Sequence, residues 1–220
     1  GLEQTRAALA EARALEWPPT IAAARQLEGR LLAELGEYDE AEAASLAAYM
    51  QAAKVHAWGV AAVAANDLVH TVGHKQARHA EGKVWAGHAE VITVLSGDPL
   101  GLSEARRLDR VGTIYILTGD YAKAKPLFER ALGIRELALG PGHPNLAFSL
   151  SNLATIYQAK GQYPEAKAIY ERILAIRELA LGPDHPRVAA SLSDLANIHK
   201  TTEDYPEAQP LRERAPSIRR

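Results

Sequence analysis

The chain has no cysteine among its 220 residues, only one methionine and two phenylalanines. Without cysteine there are no disulfides, thiolate nucleophiles, zinc fingers or iron–sulfur clusters. Such a chain is compatible with the cytoplasm, which is the expected location. Aromatic residues are scarce at 6%, which argues against a strand-built core. Neither charge sign dominates: 27 acidic and 25 basic residues give a net charge of −2, so the basic excess of a nucleic-acid binder is missing. The longest uncharged apolar run, residues 57–65, is far short of the roughly 20 residues a membrane span needs. Residues 2–15 read as a charged, periodic helix, not as the apolar centre of a signal peptide. The first residue is Gly1 and the only methionine is Met50, so the chain reads as a piece of a longer protein.

What the chain has instead is alanine, its commonest residue by a wide margin. Small side chains favour helices and let them pack closely. The chain also repeats, with a 42-residue period. Gly140-Pro141-Gly142-His143-Pro144 returns as Gly182-Pro183-Asp184-His185-Pro186, and residues 134–140 return as residues 176–182. Ser149-Leu150-Ser151-Asn152-Leu153-Ala154 becomes Ser191-Leu192-Ser193-Asp194-Leu195-Ala196. Leu150, Leu153, Ala154 and Tyr157 share one helical face, and Tyr163, Ala166, Tyr170 and Leu174 share another, with Gly161 breaking the chain between them. Each unit is therefore a helical hairpin that must stack on its neighbours to bury its apolar face.

The series Gly112, Tyr115, Gly119, Tyr121, Ala124, Phe128 recurs as Ala154, Tyr157, Gly161, Tyr163, Ala166, Tyr170. It resembles the tetratricopeptide repeat in its 42-residue, kinesin-light-chain variety. The resemblance implies an all-α, right-handed superhelical solenoid of antiparallel hairpins, one domain over residues 1–220. The expected division is a leading helix at 2–16 and hairpins at 20–53, 54–96, 103–140, 145–182 and 187–220. The last is degenerate: His199, Glu203 and Arg212 replace the tyrosine, glycine and aromatic, and Pro216 is expected to break its second helix.

The segment 54–96 is a longer, diverged hairpin, with one helix expected to about Thr71 and another from about Gln76. Its residues 73–82 and 85–90 are similar to the repeat region that follows the catalytic domain of large bacterial serine/threonine kinases of the myxobacterial type. This implies a docking or sensing region once tethered to a kinase, although the chain carries no kinase motif of its own.

Candidate sites follow from these assignments. His70, His74, His79 and His88 stand close together in the chain, and His70/His74 have the spacing of a helical metal pair. Gly73 between them is expected to end the helix, and the glutamate of a metalloprotease helix is missing, so the reading is structural or solvated histidines. A metal-dependent binder or enzyme on this segment is the alternative. His143 and His185 read as parts of the turns that start helices. The repeated aromatics read as core, and Arg212, Arg214, Arg219 and Arg220 as a solvated basic end.

The resemblance places the partner-binding surface on the first helix of each hairpin, lining a concave groove. Carried over residue by residue, it names Gln26, Arg30, Asp67 and His70. It continues with Arg106, Asp109, Arg110 and Thr113, then Ser151, Asn152 and Thr155, then Ser193, Asp194 and Asn197. Asn152 suits the main chain of a bound peptide, and Arg106 with Arg110 suits an acidic one. The expectation is a non-enzymatic module that binds a protein or peptide partner, with no cofactor, metal, nucleic acid or membrane span. A scaffold that self-associates through incomplete terminal repeats is the nearby alternative.

Overall fold

A computed structural model describes residues 1–14 and 16–217 of the chain. Leu15 of the leading helix lies outside the described residues, as do Arg219 and Arg220 of the basic end. Among the described residues there are eleven α-helices and no strand. The helices are α1 (Leu2–Ala14), α2 (Pro18–Leu35), α3 (Tyr38–Lys54), α4 (Trp58–His70), α5 (His79–Ser96) and α6 (Leu102–Leu117). Then come α7 (Tyr121–Leu139), α8 (Ala147–Ala159), α9 (Tyr163–Leu181), α10 (Pro186–Thr201) and α11 (Tyr205–Ser217). The chain forms two compact units, residues 1–124 and 125–220, with the division inside α7.

In the first unit each helix packs on the next from α1 to α6, and α4 also packs on α2 and α6. Local chemistry sets the ends. Pro18 and Pro19 open α2, where a missing N–H costs nothing. Gly36, at φ 89°, closes it with the Glu37 N–H on the Leu32 carbonyl at 3.0 Å. Asp39 and Glu40 sit in the first turn of α3, opposite the helix dipole.

The helix start expected near Gln76 is displaced to His79, and Gly73 does not end a helix. Helical winding continues from α4 through one wide π turn, Thr71–Lys75. The Gln76 N–H bonds the Thr71 carbonyl at 2.9 Å, and the Arg78 N–H bonds the Val72 carbonyl at 3.0 Å. The physical reason for Gly73 is a crossing. A Cβ there would meet Ile114 Cδ1 at 2.6 Å and the Cα of Gly82 at 2.9 Å. The two glycines let α5 lie directly on the π turn.

In the second unit α8 packs on α9, α9 on α10, and α10 on α11. Its core joins Leu146, Leu150, Ala154, Tyr170, Ile173 and Ile198. The repeated Gly-Pro-x-His-Pro segments start helices as expected. His143 Nδ1 accepts the Asn145 N–H and His185 Nδ1 accepts the Arg187 N–H, each at 3.1 Å. The repeated arginine and serine are explained together: Arg135 donates to Ser149 Oγ at 2.7 Å, and Arg177 donates to Ser191 Oγ at 2.7 Å. Both serines are fully buried.

The degenerate repeat keeps this geometry at some cost. Glu203 holds the left-handed turn, φ 60°, where Gly119 and Gly161 stand at 75° and 70°. His199 is buried where its counterparts are tyrosines and meets Asp204 Oδ2 at 2.8 Å. Pro216 does not break the helix as expected, since winding continues through it to Ser217. Pro216 lacks the N–H that would bond the carbonyl four residues earlier, and that carbonyl belongs to exposed Arg212. Arg214, expected in a solvated end, pairs with Glu178 of α9 at 2.6 Å.

Candidate functional site

Helices α2, α4 and α6 bring the candidates of the first unit together. Arg110 Nη2 donates to Asp67 Oδ1 at 3.0 Å, and Gln26 Nε2 donates to Asp67 Oδ2 at 2.6 Å. One carboxylate thereby ties three helices. Asp67 is 5% exposed, so it is a buried anchor and not a side chain offered at a surface. Arg110 Nη1 is buried without a hydrogen-bond partner. Burial pulls the Arg110 guanidinium below its ordinary pKa, opposed chiefly by Asp67.

Beside this network lies a cavity of about 340 Å³. Arg30, Asp67, His70 and Arg110, four of the sequence candidates, line it. Glu34, Tyr38, Thr71 and Lys75 join them in the wall, and sequence reasoning misses these four. Thr71 and Lys75 belong to the π turn, whose winding no periodicity signals. The wall is mixed in charge with a basic surplus, and its volume is that of a site for a side chain or small molecule.

The remaining candidates of this unit separate. Arg106 is exposed, whereas Asp109 is buried at 2% and so is not presented to a ligand as a groove position would be. Thr113 spends its hydroxyl on the Asp109 carbonyl at 2.9 Å.

The four histidines do not converge. His70 Nδ1 and His74 Nδ1 face each other at 3.3 Å, within hydrogen-bond distance. Burial, helped by Arg110, lowers the His70 pKa to about 3, and burial with Lys75 lowers that of His74. His79 donates through Nδ1 to the Gly73 carbonyl at 2.7 Å, and His88 meets the Tyr49 hydroxyl at 3.3 Å. Among the described residues no three His, Asp or Glu side chains are grouped to hold a metal ion.

In the second unit the candidate polar groups bond largely to their own helices. Asn152 Nδ2 donates to the Phe148 carbonyl at 2.9 Å, Thr155 to the Ser151 carbonyl at 3.0 Å, and Ser193 to the Ala189 carbonyl at 2.9 Å. Asn197 is exposed, and burial raises the pKa of half-buried Asp194. Phe148, one turn before Asn152, is 52% exposed. Its signal in the sequence is slight, an aromatic standing off the apolar face of its helix. Of the repeated aromatics, Phe128 and Tyr170 are buried, whereas Tyr115, Tyr121, Tyr157 and Tyr163 are half-buried, Tyr157 beneath Lys125 at 4.9 Å.

The sequence pattern of the tetratricopeptide repeat matches residues 104–178 and 149–220, more than half of the chain. The chain belongs to the tetratricopeptide repeat family. Among curated proteins none matches it. Solved structures extend the likeness over the N-terminal half. BtubC (BKLC) from P. vanneervenii is 19% identical, covers 99% of this chain and 89% of its own, and superposes with a TM-score of 0.83. A putative kinesin light chain from Podosopora anserina with nearly identical repeats is 23% identical, covers 93% and 97%, and gives 0.70. YrrB, described as a tetratricopeptide repeat protein with an unusual peptide-binding site, is 18% identical, covers 90% and 86%, and gives 0.52. The fold is an all-α repeat fold, similar to that of the putative kinesin light chain. Tetratricopeptide repeats are in general non-enzymatic modules for protein–protein interaction. Among the described residues no helix is long and apolar enough to cross a membrane.

Proposed function

We propose that the chain is a non-enzymatic docking module that takes an extended, acidic peptide against the first helices of its repeats. The observation that carries this reading is the cavity bounded by Arg30, Asp67, His70 and Arg110, with exposed Arg106 on the same helix as Arg110. A partner carboxylate entering it meets Arg30 and Lys75, with which it can form charge-assisted bonds. Asp67 balances Arg110 within the wall, which leaves the basic surplus to a ligand. In the second unit, taken by itself, Phe148 and Asn152 of α8 offer an apolar contact and an amide to a peptide. The peptide-binding described for YrrB is in keeping with this role.

The similarity of residues 73–90 to the region beyond the catalytic domain of bacterial serine/threonine kinases supports a place within a larger signalling protein of the cytoplasm. The test is capture of partners from the native organism by the wild type and by an Arg30→Glu/Arg106→Glu variant. Both residues are exposed, so the fold should survive. Loss of captured acidic partners is expected; equal capture by the charge-reversed chain overturns the proposed site.

A further inference from the structure

Helix α5 is apolar on two opposite faces, and only one of them is used. Gly82, Ala86, Ala89, Ile92 and Thr93 are buried inside the first unit. On the other side Ala80, Val84, Gly87, Val91 and Val94 all face solvent. Their spacing of 4, 3, 4 and 3 is that of a coiled-coil seam. Val84, Val91 and Val94 are 62%, 61% and 78% exposed. Neither burial nor helix propensity accounts for three β-branched residues there, since valine is a poor helix former. One repeat further on, in α7, the same positions hold Ala122, Pro126, Glu129, Gly133 and Glu136, without a continuous apolar stripe. The seam thus belongs to α5 alone of these two helices. A cleft of about 350 Å³ beside it, bounded by Ile92 and Tyr49, is open to an incoming side chain. A Cβ on Gly87 would meet nothing within 4 Å.

We infer that this stripe is the self-association surface of the protein, pairing α5 antiparallel with α5 of a second copy about a twofold axis. The seam is complementary to itself in that arrangement. With the axis between residues 85 and 86, Val84 lies against Gly87 of the second copy and Val91 against Ala80, a large residue on a small one in each layer. The flanking charges agree. Lys83 of each copy falls opposite Glu90 of the other, and Glu81 opposite His88. Two isologous interactions of each kind arise from one interface, as a twofold axis requires. A parallel pairing would instead set Lys83 beside His88 of the other copy, and would stack valine on valine and glycine on glycine. Tyr49, which meets His88, follows exposed Leu46 by one turn of α3 and carries the apolar surface beyond α5.

Lys83 also lies over the Tyr115 ring at 4.6 Å, and Glu90 contacts Arg107 at 3.3 Å, within the same chain. Light scattering after size exclusion, over a concentration series of the full chain, should show a dimer. Lys83→Glu and Glu90→Lys should each weaken it about tenfold or more through repulsion across the axis. The double variant should restore it, although both of its contacts within the chain are lost, so rescue reports the contact between copies alone. Orientation is read with a short bifunctional thiol reagent, which the cysteine-free chain permits without background. Two copies of Val84→Cys should be cross-linked, whereas two copies of Val94→Cys, about 25 Å apart along the paired helices, should not. A wild type that stays monomeric at every concentration overturns the inference, as does ready cross-linking of Val94→Cys or failure of the charge swap to rescue.

Discussion

Asp67 of α4 accepts hydrogen bonds from two other helices at once, Arg110 of α6 at 3.0 Å and Gln26 of α2 at 2.6 Å. Both carboxylate oxygens are thus spent inside the first unit. The three helices that carry its candidate groove residues are held in register by one buried charge.

Removing one partner of this pair should cost far more than removing both. Asp67→Ala leaves Arg110 charged and mostly buried, and leaves Gln26 without its acceptor. A loss of roughly 3 kcal/mol is expected in urea unfolding. Asp67→Leu/Arg110→Leu should recover most of that loss, because no uncompensated charge remains. A double variant as unstable as Asp67→Ala would place the cost in packing instead.

The crossing of the π turn and α5 gives a second prediction. Gly82→Ala would push a methyl group into the backbone of Gly73, and neither backbone can withdraw without unpacking Ile114. Its expected cost is roughly 3 kcal/mol. Gly133→Ala in α7 is the control, since a Cβ there meets nothing within 4 Å. That substitution should stabilise by up to about 1 kcal/mol, as alanine is the better helix former. Thermal melts of the two variants separate a glycine needed for space from one that is not.

Stability should also depend on pH through the paired histidines. The folded chain holds the His70 pKa at about 3 instead of 6.5, so between those values the unfolded chain binds a proton that the folded one does not. Stability is then full above pH 6.5 and declines as the pH falls toward 3, by up to about 1.4 kcal/mol per unit for each such proton. His74, lowered in the same direction, adds to the decline. Urea midpoints measured at about pH 7.5 and about pH 5 should differ less in His70→Gln than in the wild type. An unchanged difference would remove His70 from the acid response.

Where the repeat is strict, the sequence makes the helix-starting turns legible, although the bond between its recurring arginine and serine appears only in the structure. The paired histidines of the Gly-Pro-x-His-Pro segments start helices, and the arginine and serine that recur with the period meet each other twice. Where the repeat diverges, reading fails locally. Gly73 reads as a stop because glycine commonly closes helices, whereas here it is a point of contact between two segments. Asp67 and Asp109 read as surface residues because aspartate usually is one, yet both are buried. A buried charge looks the same in sequence as a solvated one, since the partner that stabilises it lies elsewhere in the fold.

The sequence by itself determined the helical hairpins, their 42-residue period and the absence of cysteine chemistry. These depend on residues close in the chain or repeated along it, and local propensity and periodicity report them directly. Only the tertiary structure decided which polar residues became anchors, where the cavity lies and which face of α5 remained uncovered. Those depend on which helices meet and at what distance, and in the diverged segment no period in the chain encodes that.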